Sequence, residues 1–81
     1  MRHNLKSHPE FFREIISGVK TFEIRLNDRD YKVGDVLWLR EYREPIGCQG
    51  GYTGWDCLKV VTYITTFEQK DNYVVMGIKE P

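Results

Sequence analysis

The stretch GVKTFEIRL, residues 18–26, decides how this chain folds. Gly18 suits the position just after a helix, where the backbone takes a positive φ that side-chain-bearing residues avoid. Over residues 20–26 apolar and polar side chains alternate, which is the period of a strand with one buried face. We expect the polar members, among them Glu23 and Arg25, to face away from the core. The apolar members predicted to face the core are Phe22, Ile24 and Leu26.

The residues before this junction predict a short strand and then a short helix. Residues 2–6 form the strand, and Ser7 caps the helix with Glu10 three residues later, as in a capping box. Pro9 is tolerated in the first helical turn. Apolar residues at spacing i, i+1, i+4 and i+5 predict a stripe that packs on a sheet. The stripe consists of Phe11, Phe12, Ile15 and Ile16.

Three further strands are predicted after the junction, at residues 36–42, 55–67 and 73–78. Strand 36–42 is apolar on both faces, which predicts a central strand with Trp38 in the core. Residues 43–54 contain several glycines and a proline and are predicted to form a flexible loop. One strand, one helix and four strands predict a single α+β domain over residues 1–81. We expect a small mixed β-barrel of about five strands, since closure removes exposed edges.

The charge balance limits the classes of partner. The 12 Lys and Arg residues are matched by 12 Asp and Glu residues, so the formal net charge is zero. Proteins that coat duplex DNA normally carry a positive surplus, so broad phosphate binding is not expected. Residues 1–40 carry a surplus of two positive charges, which permits a local basic pocket.

Other sequence features indicate a cytoplasmic protein without a cofactor. No apolar run approaches the ~18 residues of a membrane span, and no signal-peptide pattern follows the start, so no membrane partner is expected. Cys48 and Cys57 form no CxxC pair and are expected to be free thiols. His3 and His8 have no third ligand in sequence reach, so no metal site is predicted, and a surface or helix-flanking role is favoured for both.

The junction stretch also carries the first candidate site. Glu23 and Arg25 lie two residues apart on one strand face, where the arginine can hold the carboxylate or fork onto a phosphate or a base edge. Lys20, at the turn, would be able to act as a base if it were buried. From spacing alone, a plain salt-bridge cluster that fastens helix to sheet is the favoured explanation of the same three residues, because charged residues on a strand face are usually solvated or paired.

A second group of candidates lies further along the chain. Arg40 follows an apolar strand and is a candidate phosphate contact. Tyr52 and Trp55 flank the end of the glycine-rich segment, where aromatic rings can stack on unpaired bases for about 1–3 kcal/mol per base. The alternative is that Trp55 caps the barrel and Tyr52 packs on it, because aromatic residues are usually core residues.

The pattern Gly18-x-Lys20-x-x-Glu23-x-Arg25 resembles the signature of ASCH domains, a branch of the PUA-like superfamily named after a module of a transcriptional coactivator (activating signal cointegrator). Neighbouring segments resemble a small bacterial and phage subgroup of unknown function and cover nearly the whole chain. These segments are His3-x-Leu5-Lys6, Pro9-Glu10-Phe11-Phe12, Asn27-Asp28-Arg29, Val33-Gly34-Asp35, Leu39-Arg40-Glu41-Tyr42, Gly51-Tyr52-Thr53-Gly54 and Tyr73-Val74-Val75-Met76-Gly77-Ile78.

The resemblance implies a PUA-like barrel whose cleft, between helix and sheet, is lined by Lys20, Glu23 and Arg25. It implies a module that binds single-stranded RNA or a nucleotide-like molecule. One branch of small ASCH proteins instead hydrolyses the amide of an acylated cytidine, and under that alternative Lys20 would be catalytic. This chain has Glu23 where that branch has a threonine. A protein-interaction domain is the third hypothesis.

Overall fold

A computed structural model describes all residues, 1–81, and contains five strands and one helix. The predicted strands are all present, and the helix follows the first strand, so the α+β assignment is confirmed. In chain order the elements are β1 (Arg2–Ser7), α1 (Pro9–Ile16), β2 (Phe22–Leu26), β3 (Val36–Ile46), β4 (Gln49–Thr65) and β5 (Tyr73–Lys79).

The strands form one curled sheet in the order β1-β3-β4-β5-β2. β1 pairs with β3 in parallel, and the other neighbours are antiparallel. β3 lies between two strands, which confirms its predicted central position. Register shifts in β3 and β4 are places where a sheet bends and twists more strongly. The result is a half-barrel whose two free edges are β1 and β2.

A side chain bridges the two free edges. Arg25 on β2 donates from Nη2 to the backbone carbonyl of Lys6 on β1, at 2.7 Å. The predicted closure is therefore partial, because no β1–β2 strand pairing is present. The gap between these edges is where the cavities described below open.

The core lies between the concave face of the sheet and one face of α1. On the helix only Phe12 and Ile15 are buried, whereas Phe11 and Ile16 of the predicted stripe are exposed. A helix of two turns presents only a narrow face to the sheet, so the outer members of the stripe reach solvent. The main core cluster contains Leu5, Ile15, Tyr31, Leu37, Leu39, Val61, Val74, Met76 and Ile78.

The prediction of a flexible loop at residues 43–54 is wrong. β3 continues to Ile46 and β4 begins at Gln49, so a tight hairpin turn replaces the loop. Gly50 has a φ of +123°, and a Cβ placed there would collide with the backbone of Pro45. At Gly50 the lack of a side chain therefore serves close backbone packing rather than flexibility.

The start of the helix also differs from the prediction. Ser7 is the last residue of β1, and His8 is the N-cap without a side-chain capping hydrogen bond. Pro9 occupies the first turn as predicted. Gly18 has a φ of +85° and donates its N–H to the carbonyl of Ile15, which confirms its role after the helix.

Three further features of the structure concern membrane spans, disulfide bonds and metal ions. The one helix is too short to traverse a lipid bilayer. Cys48 and Cys57 are both unpaired. No three side chains of His, Cys, Asp or Glu gather in a way that suits a metal ion.

Candidate functional site

Lys20, Glu23 and Arg25 come together at the edge strand β2. Lys20 Nζ donates to Glu23 Oε1 at 3.2 Å, and Arg25 Nε donates to Glu23 Oε2 at 2.7 Å. The strand period places Glu23 and Arg25 on one face, and Lys20 reaches the same carboxylate from the junction. The three residues grouped from the sequence thus form one ion cluster centred on Glu23.

The facing of β2 is the reverse of the prediction. Glu23 is only 4% exposed, whereas Phe22, Ile24 and Leu26 are each about half exposed. The inward side of β2 carries Glu23 and Arg25 of the ion cluster instead of apolar side chains. The two hydrogen-bond partners of Glu23 offset the cost of burying its charge. The apolar side chains lie on the outer face, with Ile24 opposite Val75 and Leu26 opposite Tyr73 of β5.

A cleft of about 370 Å³ opens beside this cluster, between the start of α1 and β2. Its size falls in the range of small-molecule sites, which is roughly 300–1,000 Å³. Lys20 Nζ lies 5.3 Å and 5.0 Å from the ring centroids of Phe11 and Phe22, so two aromatic rings stand at the cleft. The lining residues are Lys6, Ser7, His8, Phe11, Lys20, Phe22, Glu23, Ile24 and Arg25.

Ser7 is one of the lining residues that the sequence did not predict as site residues. It is 3% exposed, and its Oγ is buried with no hydrogen-bond partner. Such orphaned groups are rare in folded proteins, because leaving one unpaired costs about 1–3 kcal/mol. The capping pattern predicted that the Ser7 hydroxyl caps the helix. Only the three-dimensional structure, in which Ser7 ends β1, shows that this hydroxyl is unpaired.

The polar groups at the cleft have more donors than acceptors. Arg25 has five N–H donors, of which one is used by Glu23 and one by the carbonyl of Lys6. Lys20 uses one of three donors on Glu23. The carboxylate already serves two cations, and Ser7, whose buried hydroxyl is unpaired, lines the same cleft. The cleft therefore suits a ligand rich in acceptor oxygens.

Comparison with known proteins identifies the family. The family described as "Domain of unknown function (DUF3850)" matches residues 2–78. The chain belongs to this family. It is also similar to a protein of Escherichia phage P2 described as "Uncharacterized 12.9 kDa protein in GpA 3'region", with 32% identity over 75 residues. The matched region is 91% of this chain and 64% of the phage protein, so the chain spans slightly less than two thirds of that relative.

A larger groove of about 700 Å³ adjoins the cleft in this DUF3850 domain. The groove lies in the gap between the two free edges and shares Lys6, Ile24 and Arg25 with the cleft. Tyr52 of β4 lines the groove as well, although it is remote from Arg25 in sequence. The groove between β1 and β2 therefore extends to Tyr52, one of the aromatic residues predicted to bind a ligand.

The remaining predicted site residues lie on the convex face of the sheet rather than in the cleft. The guanidinium of Arg40 lies 3.8 Å from the ring centroid of Tyr52 and 4.8 Å from that of Trp38. Trp55 is 72% exposed and borders a pocket of about 90 Å³ next to Arg40. Trp38 is half-buried on this face, so its predicted core position is wrong. Its indole N–H donates to Asp56 at 2.6 Å.

A second ion cluster surrounds Asp35 at the start of β3. Its Oδ2 lies 2.8 Å from Nε2 of the buried His3 and accepts the N–H of Lys32, and its Oδ1 accepts from the Met1 amine. The hydrogen bond with His3 does most to lower the pKa of Asp35, from 3.8 to about 2. His3 also packs edge-on against Tyr31, at 4.8 Å between ring centroids. The surface or helix-flanking role favoured for His3 is therefore wrong, because His3 is buried within β1.

Proposed function

We propose that this domain is a non-catalytic module that binds RNA or a nucleotide through the cleft beside α1. The observation that carries the proposal is that Ser7, whose buried hydroxyl has no partner, lines the same cleft as Lys20 and Arg25, which have spare donors. A phosphate supplies acceptor oxygens for all three groups in one small volume. The cleft lining contains three cations, Lys6, Lys20 and Arg25, against one carboxylate, Glu23, and this surplus of two positive charges favours a phosphate.

The other lining groups suit the base of the same ligand. Phe11 and Phe22 are both partly exposed at the cleft and offer ring faces on which a base can stack. Glu23 accepts two hydrogen bonds, and a carboxylate has room for about four, so it can also accept from a base amino group. Single-strand recognition fits a protein of zero net charge, because stacking and edge contacts replace broad phosphate neutralisation.

We also propose the finer classification as a PUA-like barrel of the ASCH branch. The G-x-K-x-x-E-x-R pattern of residues 18–25 lies at a helix-to-strand junction, and its Lys, Glu and Arg meet beside a cleft. An experimental structure compared with ASCH domains tests this classification. A strand order in those domains different from β1-β3-β4-β5-β2 would reject it.

The binding proposal is tested by titrating purified protein with nucleoside monophosphates and short single-stranded RNAs. Lys20→Ala removes a cation that lines the cleft and is expected to weaken binding about tenfold or more, since hydrogen bonds to charged groups contribute about 1.5–3 kcal/mol. Lys32→Ala is the matched control, because the Lys32 side chain is largely exposed and lines neither the cleft nor the groove. Equal losses in both variants, or no binding by the unmodified protein, would reject the proposal.

Hydrolysis of an acylated cytidine is the second candidate, and one observation favours it. The Lys20 side chain is only 17% exposed, and burial is one of the conditions that activate a catalytic lysine. Mass analysis of acylated cytidine incubated with the protein separates the two candidates. We expect intact substrate. Loss of the acyl group that Lys20→Ala abolishes would replace the binding module by the hydrolase.

A further inference from the structure

Three cations on the convex face of the sheet have no carboxylate partner. Arg2, Lys6 and Arg40 take part in none of the seven salt bridges of the protein. Each instead lies over an aromatic ring. Arg2 lies 4.8 Å from the ring centroid of Trp38, and Lys6 lies 4.4 Å from that of Tyr42. Arg40 lies between Trp38 and Tyr52, as described above.

We call this set the cation–aromatic ladder; its members are Arg2, Lys6, Trp38, Arg40, Tyr42 and Tyr52. The strand period explains why they share a face. In β1 and β3 every second residue points outward, while the inward positions Leu37 and Leu39 are fully buried. The parallel register sets Lys6 beside Arg40, and the antiparallel register sets Tyr42 beside Tyr52. The two tyrosine rings meet edge-on at 5.1 Å between centroids.

Two carboxylates near the ladder form no salt bridge with its cations. Asp56 accepts from the indole N–H of Trp38 at 2.6 Å, and Glu41 accepts from the hydroxyl of Thr53 at 2.7 Å. Both acceptors thus serve neutral donors. The ladder combines three cations with three aromatic rings on one face, and this combination complements a chain of phosphates and flat bases.

The geometry points to a longer ligand than one nucleotide: we infer that the ladder binds a single-stranded nucleic acid, RNA above all, that continues from the cleft. This inference rests on the proposed function, because the nucleotide in the cleft becomes one member of the bound strand. Lys6 connects the two places, since it belongs to the ladder and lines both the cleft and the groove. Tyr52 connects them too, because it lines the groove that reaches Arg25.

The length of the ladder fits a few nucleotides. From Trp38 to Tyr42 the strand advances about 13 Å at the usual rise per residue. Other open sheets with exposed aromatic residues stack two or three bases over such a face. The bases would stack on the partly exposed rings, and the phosphates would pair with the cations that lack carboxylates. The same cation–π pairs are also able to stabilise the sheet alone, and ligand titrations separate these roles.

The experiment measures the affinity of labelled RNAs of one, about four and about eight nucleotides, and of DNAs of matching sequence. Arg40→Ala and Tyr52→Leu alter the ladder, while Arg13→Ala and Tyr63→Leu are matched controls. Arg13 lies in α1, and Tyr63 is an exposed residue of β4; neither lines the cleft or the groove. Thermal unfolding of each variant shows whether it is folded. If Arg40→Ala does not fold, Tyr52→Leu still tests the ladder.

We expect affinity to rise at least tenfold from the mononucleotide to the longest RNA. Arg40→Ala is expected to reverse about tenfold of that gain and to lower the slope of log affinity against log salt by about 0.7, the value for one phosphate on a single strand. Mononucleotide affinity should stay unchanged in both ladder variants, and the control variants should match the unmodified protein. A matching affinity for DNA supports the ladder and extends its ligand to both nucleic acids.

Three outcomes separate failure of the ladder from failure of the cleft. Equal affinity for the mononucleotide and the longest RNA, unaffected by Arg40→Ala, overturns the ladder and leaves the cleft intact. RNA binding that depends on Arg40 and Tyr52 but not on Lys20 supports the ladder and overturns the cleft. Absence of binding to any RNA or DNA overturns both.

Discussion

Glu23 and Asp35 are two buried carboxylates that look alike in isolation and differ in their surroundings. They are 4% and 8% exposed, and each accepts hydrogen bonds from more than one group. Asp35 binds the N-terminal amine, an imidazole and a backbone N–H, and it lines neither the cleft nor the groove. Its contacts all lie within the protein, so it is a structural tie.

Glu23 has partners that retain unused donors and face a cavity. Lys20 and Arg25 each have N–H groups beyond those that bind the carboxylate, and Ser7, whose buried hydroxyl has no partner, lines the same cleft. A buried ion cluster is therefore informative about function only when it borders a cavity with unsatisfied polar groups. The cluster of Asp35 lacks that feature, whereas the cluster of Glu23 has it.

Replacement of Asp35 should produce the largest change and should affect stability alone. Asp35→Asn removes the charge that binds His3 and the Met1 amine, and we expect the free energy of unfolding to fall by about 2 kcal/mol, or roughly 10 °C in Tm. Ligand affinity should not change. Thermal unfolding and the RNA titration check both parts.

Asp30→Asn is the control for this substitution. It removes the same charge from an exposed side chain that pairs only with Lys32, and asparagine tolerates the positive φ of this position. Its Tm should stay close to that of the unmodified protein. A loss of affinity in Asp35→Asn at a temperature where it is folded would mean that the two clusters are coupled.

The second prediction concerns low pH, where the contribution of Asp35 to the stability of the fold is lost. Because the folded-state pKa is lowered from 3.8 to about 2, the stabilisation is complete above pH 3.8 and is lost as the pH falls towards 2. The difference in Tm between the unmodified protein and Asp35→Asn should be constant from neutral pH to about pH 4 and then shrink. Unfolding curves over this range measure it. A difference that stays constant down to pH 2 would show that the charge of Asp35 is not the stabilising feature.

The two clusters also show what the sequence predicts and what it does not. Local spacing was enough to group Lys20, Glu23 and Arg25, because they lie within six residues at one junction. The partner of His3 is 32 residues away, and no local pattern joins His3 to Asp35.

Alternation predicted the strand at β2 but assigned its faces wrongly. A period of two residues shows that the faces differ, and it does not show which face is buried when ion pairing offsets the burial of charge. On the helix side, the capping pattern assigned Ser7 to the helix, whereas β1 pairs with β3 through Ser7. Register with a distant strand thus decided the place of the one hydroxyl that distinguishes the site.

The smallest expected effect on stability belongs to Ser7→Ala. The sign of its change in Tm best distinguishes the cluster of Glu23 from that of Asp35. The buried hydroxyl has no partner, so its removal should leave Tm unchanged or raise it slightly, while RNA affinity falls about three- to tenfold through the loss of one hydrogen bond. Ser17→Ala is the matched control, because that hydroxyl donates to the carbonyl of Glu14 and lies outside the cleft. The control should lose a little stability and no affinity. If Ser7→Ala lowered Tm by several degrees with affinity intact, the hydroxyl would be a structural group like Asp35, and the distinction between the two clusters would fail.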